Sequence, residues 1–181
     1  MVELIAKTPL SGLLPLQIGG LVAVEAELGA LTSLSPYKRK MTAFKKAVKS
    51  AHGLSVPDDG KAEMSDQGHL IWFGRGEYLL TGRAADEELA SAAAVVDQSD
   101  AWACVELRGA GIDEVMSRMT PIDTRIDAFP VGTTARALIQ HMNGSVTRTG
   151  LDTLVLMVFR SMAATLVHDL KSAMETVAAK R

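Results

Sequence analysis

The sequence has one cysteine, Cys104, in 181 residues. That count excludes an internal disulfide and fits a reducing cytoplasm, which is the expected location. Aromatic residues make up only 4% of the chain, against nine methionines and many alanines, so the core should be aliphatic and thioether-filled. Long apolar runs are missing: runs such as Leu13–Leu16 and Leu154–Phe159 fall far short of the ~20 residues that a bilayer-spanning helix needs. No sign of charge dominates, with 19 Lys and Arg against 21 Asp and Glu for a net −2, so nothing pulls the whole chain toward nucleic acid or an anionic membrane. Glu3 interrupts the apolar start and no small-residue cleavage site follows it, so no export signal is expected. No repeat of fixed period and no low-complexity block is visible.

What is present suits one compact domain with a sizeable core: 48% hydrophobic and 22% charged residues. Residues 1–20 read as an extended N-terminal arm, because Pro9, Gly12, Pro15 and Gly19-Gly20 interrupt an otherwise apolar stretch. Residues 21–181 read as a single α+β domain. Leu21–Leu28 alternates as a first strand, and Tyr37–Gly53 reads as a helix with Met41, Phe44, Val48 and Ala51 inward. Ser55–Gly68 is a polar turn. His69–Phe73 and Glu77–Thr81 flank Gly74-Arg75-Gly76, a hairpin signal, and Asp86–Ala94 reads as a short Ala-rich helix. Thr133–His141 and Ser145–Thr149 flank Asn143-Gly144, a strong two-residue turn signal. Leu154–Phe159 is a further strand, and Ser161 is placed to cap a long helix with Met162, Leu166, Leu170, Met174 and Val177 on one face. Hairpin connections dominate, so the sheet should be mostly antiparallel with helices packed on it.

The chain is centred on residues 97–132. Trp102, Cys104 and Glu106 alternate with Ala103, Val105 and Leu107, as in a largely buried strand. Gly109 and Gly111 break it, and Ile112, Val115, Met116 and Met119 form one apolar helical stripe that Pro121 ends.

Candidate chemistry is sparse. Gly109-x-Gly111 superficially resembles a dinucleotide loop, but Glu114 stands where the third glycine belongs, and with Asp113 it would repel a phosphate. His52, His69, His141 and His168 share no ligand spacing, and there is no second cysteine, so no metal site is assigned. Cys104 sits mid-strand rather than beside a base at a strand end, and G-x-S-x-G is absent, so no nucleophile is assigned. Lys38, Arg39, Lys40, Lys45, Lys46 and Lys49 give the first helix a basic face. A solvated face, docking to an acidic protein and nucleic-acid binding all remain open there. Trp72 and Phe73 are expected in the core. An ion pair between Arg160 and Asp97 is expected to join the strand–helix junction to the central strand.

Several short matches occur in one consistent order: Trp72-Phe73-Gly74-x-x-Glu77-Tyr78-Leu79-Leu80, Asp97-Gln98-Ser99, Val105-x-Leu107-x-Gly109, Pro121-Ile122-Asp123, Phe129-Pro130-Val131-Gly132 and Phe159-Arg160-Ser161-Met162-Ala163. Together they resemble the gamma subunit of heterotetrameric sarcosine oxidase, a family similar in fold to the folate-binding domain of glycine-cleavage aminomethyltransferases. The resemblance runs from about Leu21 to the C-terminus. It implies a small subunit of a complex that demethylates sarcosine to glycine, reduces oxygen to peroxide and passes the one-carbon unit to tetrahydrofolate. It further implies alpha, beta and delta partners, with alpha the direct contact. FAD, FMN and NAD would sit on alpha and beta, tetrahydrofolate on alpha and zinc on delta, with no cofactor on this chain. The chain departs from the pattern in two places. Gly74-Arg75-Gly76 replaces a Gly-Pro-acid run, and Asn143-Gly144-Ser145-Val146-Thr147-Arg148 lacks the acid that follows the second hairpin in aminomethyltransferases. A pterin or amine needs a carboxylate to anchor or polarise it, so no catalytic residue is carried over. Two other readings remain open: a stand-alone folate-binding protein of one-carbon metabolism, and a nucleic-acid-associated member of the fold using the Lys38–Lys49 face.

Overall fold

In a computed structural model of the chain, residues 5–180 are described. Glu3 and the other residues 1–4 of the expected arm lie outside them, as does residue 181. The described elements, in chain order, are β1 (Leu16–Ile18), β2 (Leu21–Glu25), β3 (Ala30–Pro36), α1 (Met41–His52), β4 (Ala62–Ser65), β5 (Gly68–Gly74), β6 (Glu77–Gly82), β7 (Ala93–Asp97), β8 (Trp102–Arg108), α2 (Ile112–Met119), β9 (Thr134–Ile139), β10 (Met142–Gly150), β11 (Thr153–Phe159) and α3 (Ala163–Ala178). They form two antiparallel sheets rather than one: a six-stranded sheet ordered β1-β2-β8-β11-β10-β9 and a five-stranded sheet ordered β4-β5-β6-β3-β7.

The alternation in β8 explains the layering. Ala103, Val105 and Leu107 face α2 and α3, joining Ile112, Val115, Met116, Leu166, Leu170 and Met174 in the largest apolar cluster. Trp102 and Cys104 face the other way, meeting Leu31, Ile71, Phe73 and Leu79 of the five-stranded sheet. The outer face of that sheet carries Leu34, Leu70, Tyr78 and Leu80, covered by Phe44 and Val48 of α1. The inner strands β3, β5, β6, β8 and β11 thus serve two cores through their period of two, and the molecule is four layers deep: helices, sheet, sheet, helix.

Both amphipathic helices follow their sequence patterns: Ile112, Val115, Met116 and Met119 of α2, and Leu166, Leu170, Met174 and Val177 of α3, are buried. The Gly74-Arg75-Gly76 hairpin also forms, with Gly74 paired to Glu77 across it.

Several expectations are corrected. The stretch Ala30–Pro36, unassigned in the sequence, is β3, central to the five-stranded sheet between β6 and β7. Its Thr and Ser residues masked the period. Asp86–Ala94 is not one continuous helix; only Glu87–Ser91 is helical, as a short 3-10 segment. Asp86 Oδ1 accepts from the Glu88 amide at 2.8 Å and caps a single 3-10 turn, after which Ala93–Asp97 pairs with β3. Within the expected polar turn, Ala62–Ser65 is the edge strand β4.

The β9–β10 turn is Gln140-His141, not Asn143-Gly144, since Met142 pairs with Ile139. Gln140 adopts φ +53° because it caps the end of α2: its amide N–H donates to Met119 O at 2.5 Å and Nε2 to Arg118 O at 2.7 Å. Gly144 lies in the strand, where a Cβ would stand 2.7 Å from both Ile139 Cδ1 and Met157 O. Close approach, not a turn, requires glycine there. Ser161 caps nothing; it lies in a 3-10 turn, α3 begins at Ala163, and Met162 is 42% exposed.

The described part of residues 1–20 touches the domain closely. Leu10 is buried in the largest cluster, and β1 pairs with β2 in the six-stranded sheet. Gly109 makes room for this strand entry: at φ +117°, a Cβ would come 2.4 Å from Gly20 O.

Candidate functional site

Two aromatic side chains gather around Trp102 of β8. Phe73 stands edge-on to Trp102, with centroids 5.1 Å apart and planes at 86°. Phe159 stacks on Trp102 at 4.9 Å and 22°. Arg136, on β9, lays its guanidinium 4.2 Å from the Phe73 centroid and 5.3 Å from that of Trp102. With Glu77 and Ser33 these residues line a cavity of about 240 Å³. Burial lowers the basicity of Arg136, and the field of Glu77 partly offsets it. The Ser33 hydroxyl donates to Glu77 Oε1 at 3.1 Å. Phe73 is buried as expected, while Trp72 is half-buried against the α1 side of its sheet.

A larger groove of about 460 Å³ runs between residues 6–9, residues 25–29 and the Asp100–Arg160 corner. The Thr8 hydroxyl donates to Glu25 Oε2 at 2.7 Å, and Arg160 donates to Lys7 O at 2.7 Å. The ion partner of Arg160 is Asp100 at 3.3 Å, not Asp97. Asp97 instead accepts from the Ser99 hydroxyl at 2.6 Å and amide at 2.9 Å. Asp100 is fully exposed, so the Arg160 pair stabilises little.

Cys104 also lines this groove but is chemically quiet. Burial, then the charge of Glu25, pushes its thiol up to about 12. A thiol so placed is a poor nucleophile. A disulfide reagent is therefore expected to leave the folded chain unlabelled at mildly alkaline pH and to label one equivalent after denaturation; rapid labelling of the folded chain contradicts this burial.

The histidines do not converge. His141 is exposed in the turn and His168 on α3. The Nε2 of His52 accepts from the Asp86 amide at 3.3 Å. Its proton affinity is lowered by burial and by Arg83, against Asp86. Burial also lowers that of His69, against a weaker opposing bond to the Gly68 backbone. Among the described residues, no three His, Cys, Asp or Glu side chains gather as a metal would require. A histidine that binds its proton less readily when folded disfavours the native state once protonated. Stability should therefore drop as pH falls below 6.5, the ordinary histidine value. His69→Gln should flatten that part of the curve of melting temperature against pH.

Sequence reasoning missed Arg148. It is fully buried on β10, between β9 and β11, and donates to Leu151 O at 2.5 Å and to Thr124 O. It also pairs with Asp113 Oδ1 at 2.6 Å. Asp113 sits in the first turn of α2, where an acid complements the helix dipole. Asp113, one of the two carboxylates that argued against phosphate binding at the Gly109–Gly111 turn, thus has a structural partner. The only sequence signal was a lone cation in a strand otherwise free of charge. The Lys38–Lys49 face is exposed throughout, and the ammonium of Lys49 donates to Gly53 O at 2.8 Å at the end of α1.

The arrangement of two face-to-face antiparallel sheets with helices outside defines the class: an α+β sandwich of the aminomethyltransferase type. Glycine cleavage system aminomethyltransferase T from Bartonella henselae matches it with a TM-score of 0.57 and 13% identity over 84% of this chain. The match covers 46% of that chain, so this protein spans about half of its length. The model of the sarcosine oxidase, gamma subunit family matches residues 39–175, and the chain belongs to that family. Heterotetrameric sarcosine oxidase from Corynebacterium sp. U-96, in complex with pyrrole 2-carboxylate, contains a chain that aligns over 96% of both lengths, with a TM-score of 0.80 and 18% identity. No curated protein matches the chain significantly.

Proposed function

We propose that this protein is the gamma subunit of a heterotetrameric sarcosine oxidase and contributes assembly contacts rather than catalytic groups. The family match over residues 39–175 carries the reading. The chain's own chemistry supports it: Cys104 is buried, the histidines are dispersed, and the pair of buried Arg148 with half-exposed Asp113 joins elements of one fold. The complex would demethylate sarcosine oxidatively to glycine, with one-carbon transfer to tetrahydrofolate and formation of peroxide. FAD, FMN, NAD, tetrahydrofolate and zinc are assigned to the partner subunits, and alpha to the direct contact with this chain. The arm of residues 1–20 and the domain of residues 21–181 remain the proposed division of the chain. A cytoplasmic location goes with it; among the described residues no helix is long and apolar enough to cross a membrane.

Co-expression with alpha, beta and delta subunits, followed by a pull-down on this chain, tests the assignment. All four are expected to co-purify. Failure to do so, together with tetrahydrofolate binding by this chain alone, would reverse the conclusion in favour of a stand-alone folate-binding protein. That alternative is not favoured by the gamma-subunit family match.

A further inference from the structure

Arg136 is a half-buried cation without a counterion. Among the described residues its side chain makes no hydrogen bond and no ion pair, and its Nη1, sealed from solvent, donates to nothing. Glu77, lining the same cavity, forms no ion pair among them either and takes its hydrogen bond from Ser33. Trp102 is only 7% exposed, and its indole N–H is buried without an acceptor. Opposite charges in a half-buried site gain most by closing on each other. Here a cation and an anion share one cavity and stay apart, held by stacking on Phe73 and Trp102 on one side and by Ser33 on the other.

Two unjoined charges of opposite sign match a ligand that carries both signs a few bonds apart. A guanidinium offers a carboxylate two parallel donors, and a carboxylate accepts from an ammonium. The volume of about 240 Å³ lies below the ~300–1,000 Å³ of pockets for drug-sized ligands, which restricts the occupant to a few heavy atoms. Phe159, 46% exposed, offers an aromatic face against which an N-methylated ammonium can rest. We propose that the Arg136–Glu77 cavity binds a small zwitterionic amino acid, its carboxylate on Arg136 and its ammonium on Glu77. The cavity and its two charges are read from this chain's geometry, while the choice of sarcosine among small zwitterions rests on the proposed function.

The test is calorimetric titration of the full chain with sarcosine, and with acetate and methylammonium as single-charge probes. Sarcosine should bind with one site per chain, and each single-charge probe about tenfold more weakly or worse. Arg136→Gln and Glu77→Gln should each weaken sarcosine binding by about tenfold or more while leaving the melting temperature near that of the wild type. If the chain does not fold alone, the same titration in the co-purified complex should lose one sarcosine site in the Arg136→Gln variant. Absence of sarcosine binding to a folded chain, or a site count in the complex unchanged by Arg136→Gln, overturns the proposal. So does acetate binding as tightly as sarcosine and unaffected by Glu77→Gln, which would mark a receptor for a lone carboxylate such as an acidic side chain of a neighbour.

Discussion

Replacing Arg148 by alanine should cost about 3–5 kcal/mol of stability, the largest effect expected of any polar substitution in this chain. For a domain of this size that is a fall of roughly 6–20 °C in melting temperature. Arg148 has no exposed surface, and its guanidinium binds three separate pieces of chain: the Leu151 turn, the Thr124 loop and the first turn of α2 through Asp113. Truncation removes the packing of a long side chain and leaves the carbonyls of Leu151 and Thr124 without their donor. The Thr124 carbonyl is buried, and leaving such a group unsatisfied costs about 1–3 kcal/mol, whereas the Leu151 carbonyl lies in an exposed turn and can turn to water. Asp113→Asn should cost less, because the Asp113 side chain is 35% exposed and Arg148 would keep its two carbonyl acceptors. The Arg148→Ala/Asp113→Asn double variant should be less unstable than the sum of the singles, since the pair interacts directly. Chemical denaturation of the four proteins measures the coupling; strict additivity, or a single-variant loss below ~1 kcal/mol at Arg148, would show that the buried cation does not organise these loops.

Leu10→Ala should cost about 2–5 kcal/mol, as for a leucine inside a well-packed core rather than one on a trailing arm. Leu10 is 1% exposed and belongs to the cluster under α2 and α3. Exposed Leu13, at 37%, is the internal control, and Leu13→Ala should change stability by no more than about 0.5 kcal/mol. Urea midpoints of the two variants decide the matter. Equal midpoints would mean that residues near Leu10 peel away in solution.

Much of the architecture was legible in the sequence because it is written in short windows. Period-two alternation fixed β8, and a 3.6-residue stripe fixed α2 and α3. Two glycines around Arg75 marked the β5–β6 hairpin. The misreadings share one cause, which is competition from residues distant in sequence. Asn143-Gly144 has the chemistry of a turn, yet Gln140 makes the turn because α2 offers it unsatisfied carbonyls at Arg118 and Met119. The Ala-rich Ala92–Ala94 has helical propensity, yet β3 offers it a ladder. Ala30–Pro36 lacks a clear period, and its strand character comes from β6 and β7 on either side.

By itself, then, the sequence determined the class of fold, the aliphatic character of its cores and the absence of any linear motif for nucleophilic or metal chemistry. It did so because composition and periodicity are properties of neighbouring residues. Only the tertiary structure decided that there are two sheets, that Arg148 is buried against Asp113, and that Arg136 and Glu77 share a cavity without touching. Those are facts about charges far apart in the chain. Whether such charges pair, stack on rings or wait for a ligand is set by the backbone that carries them, not by the residues beside them.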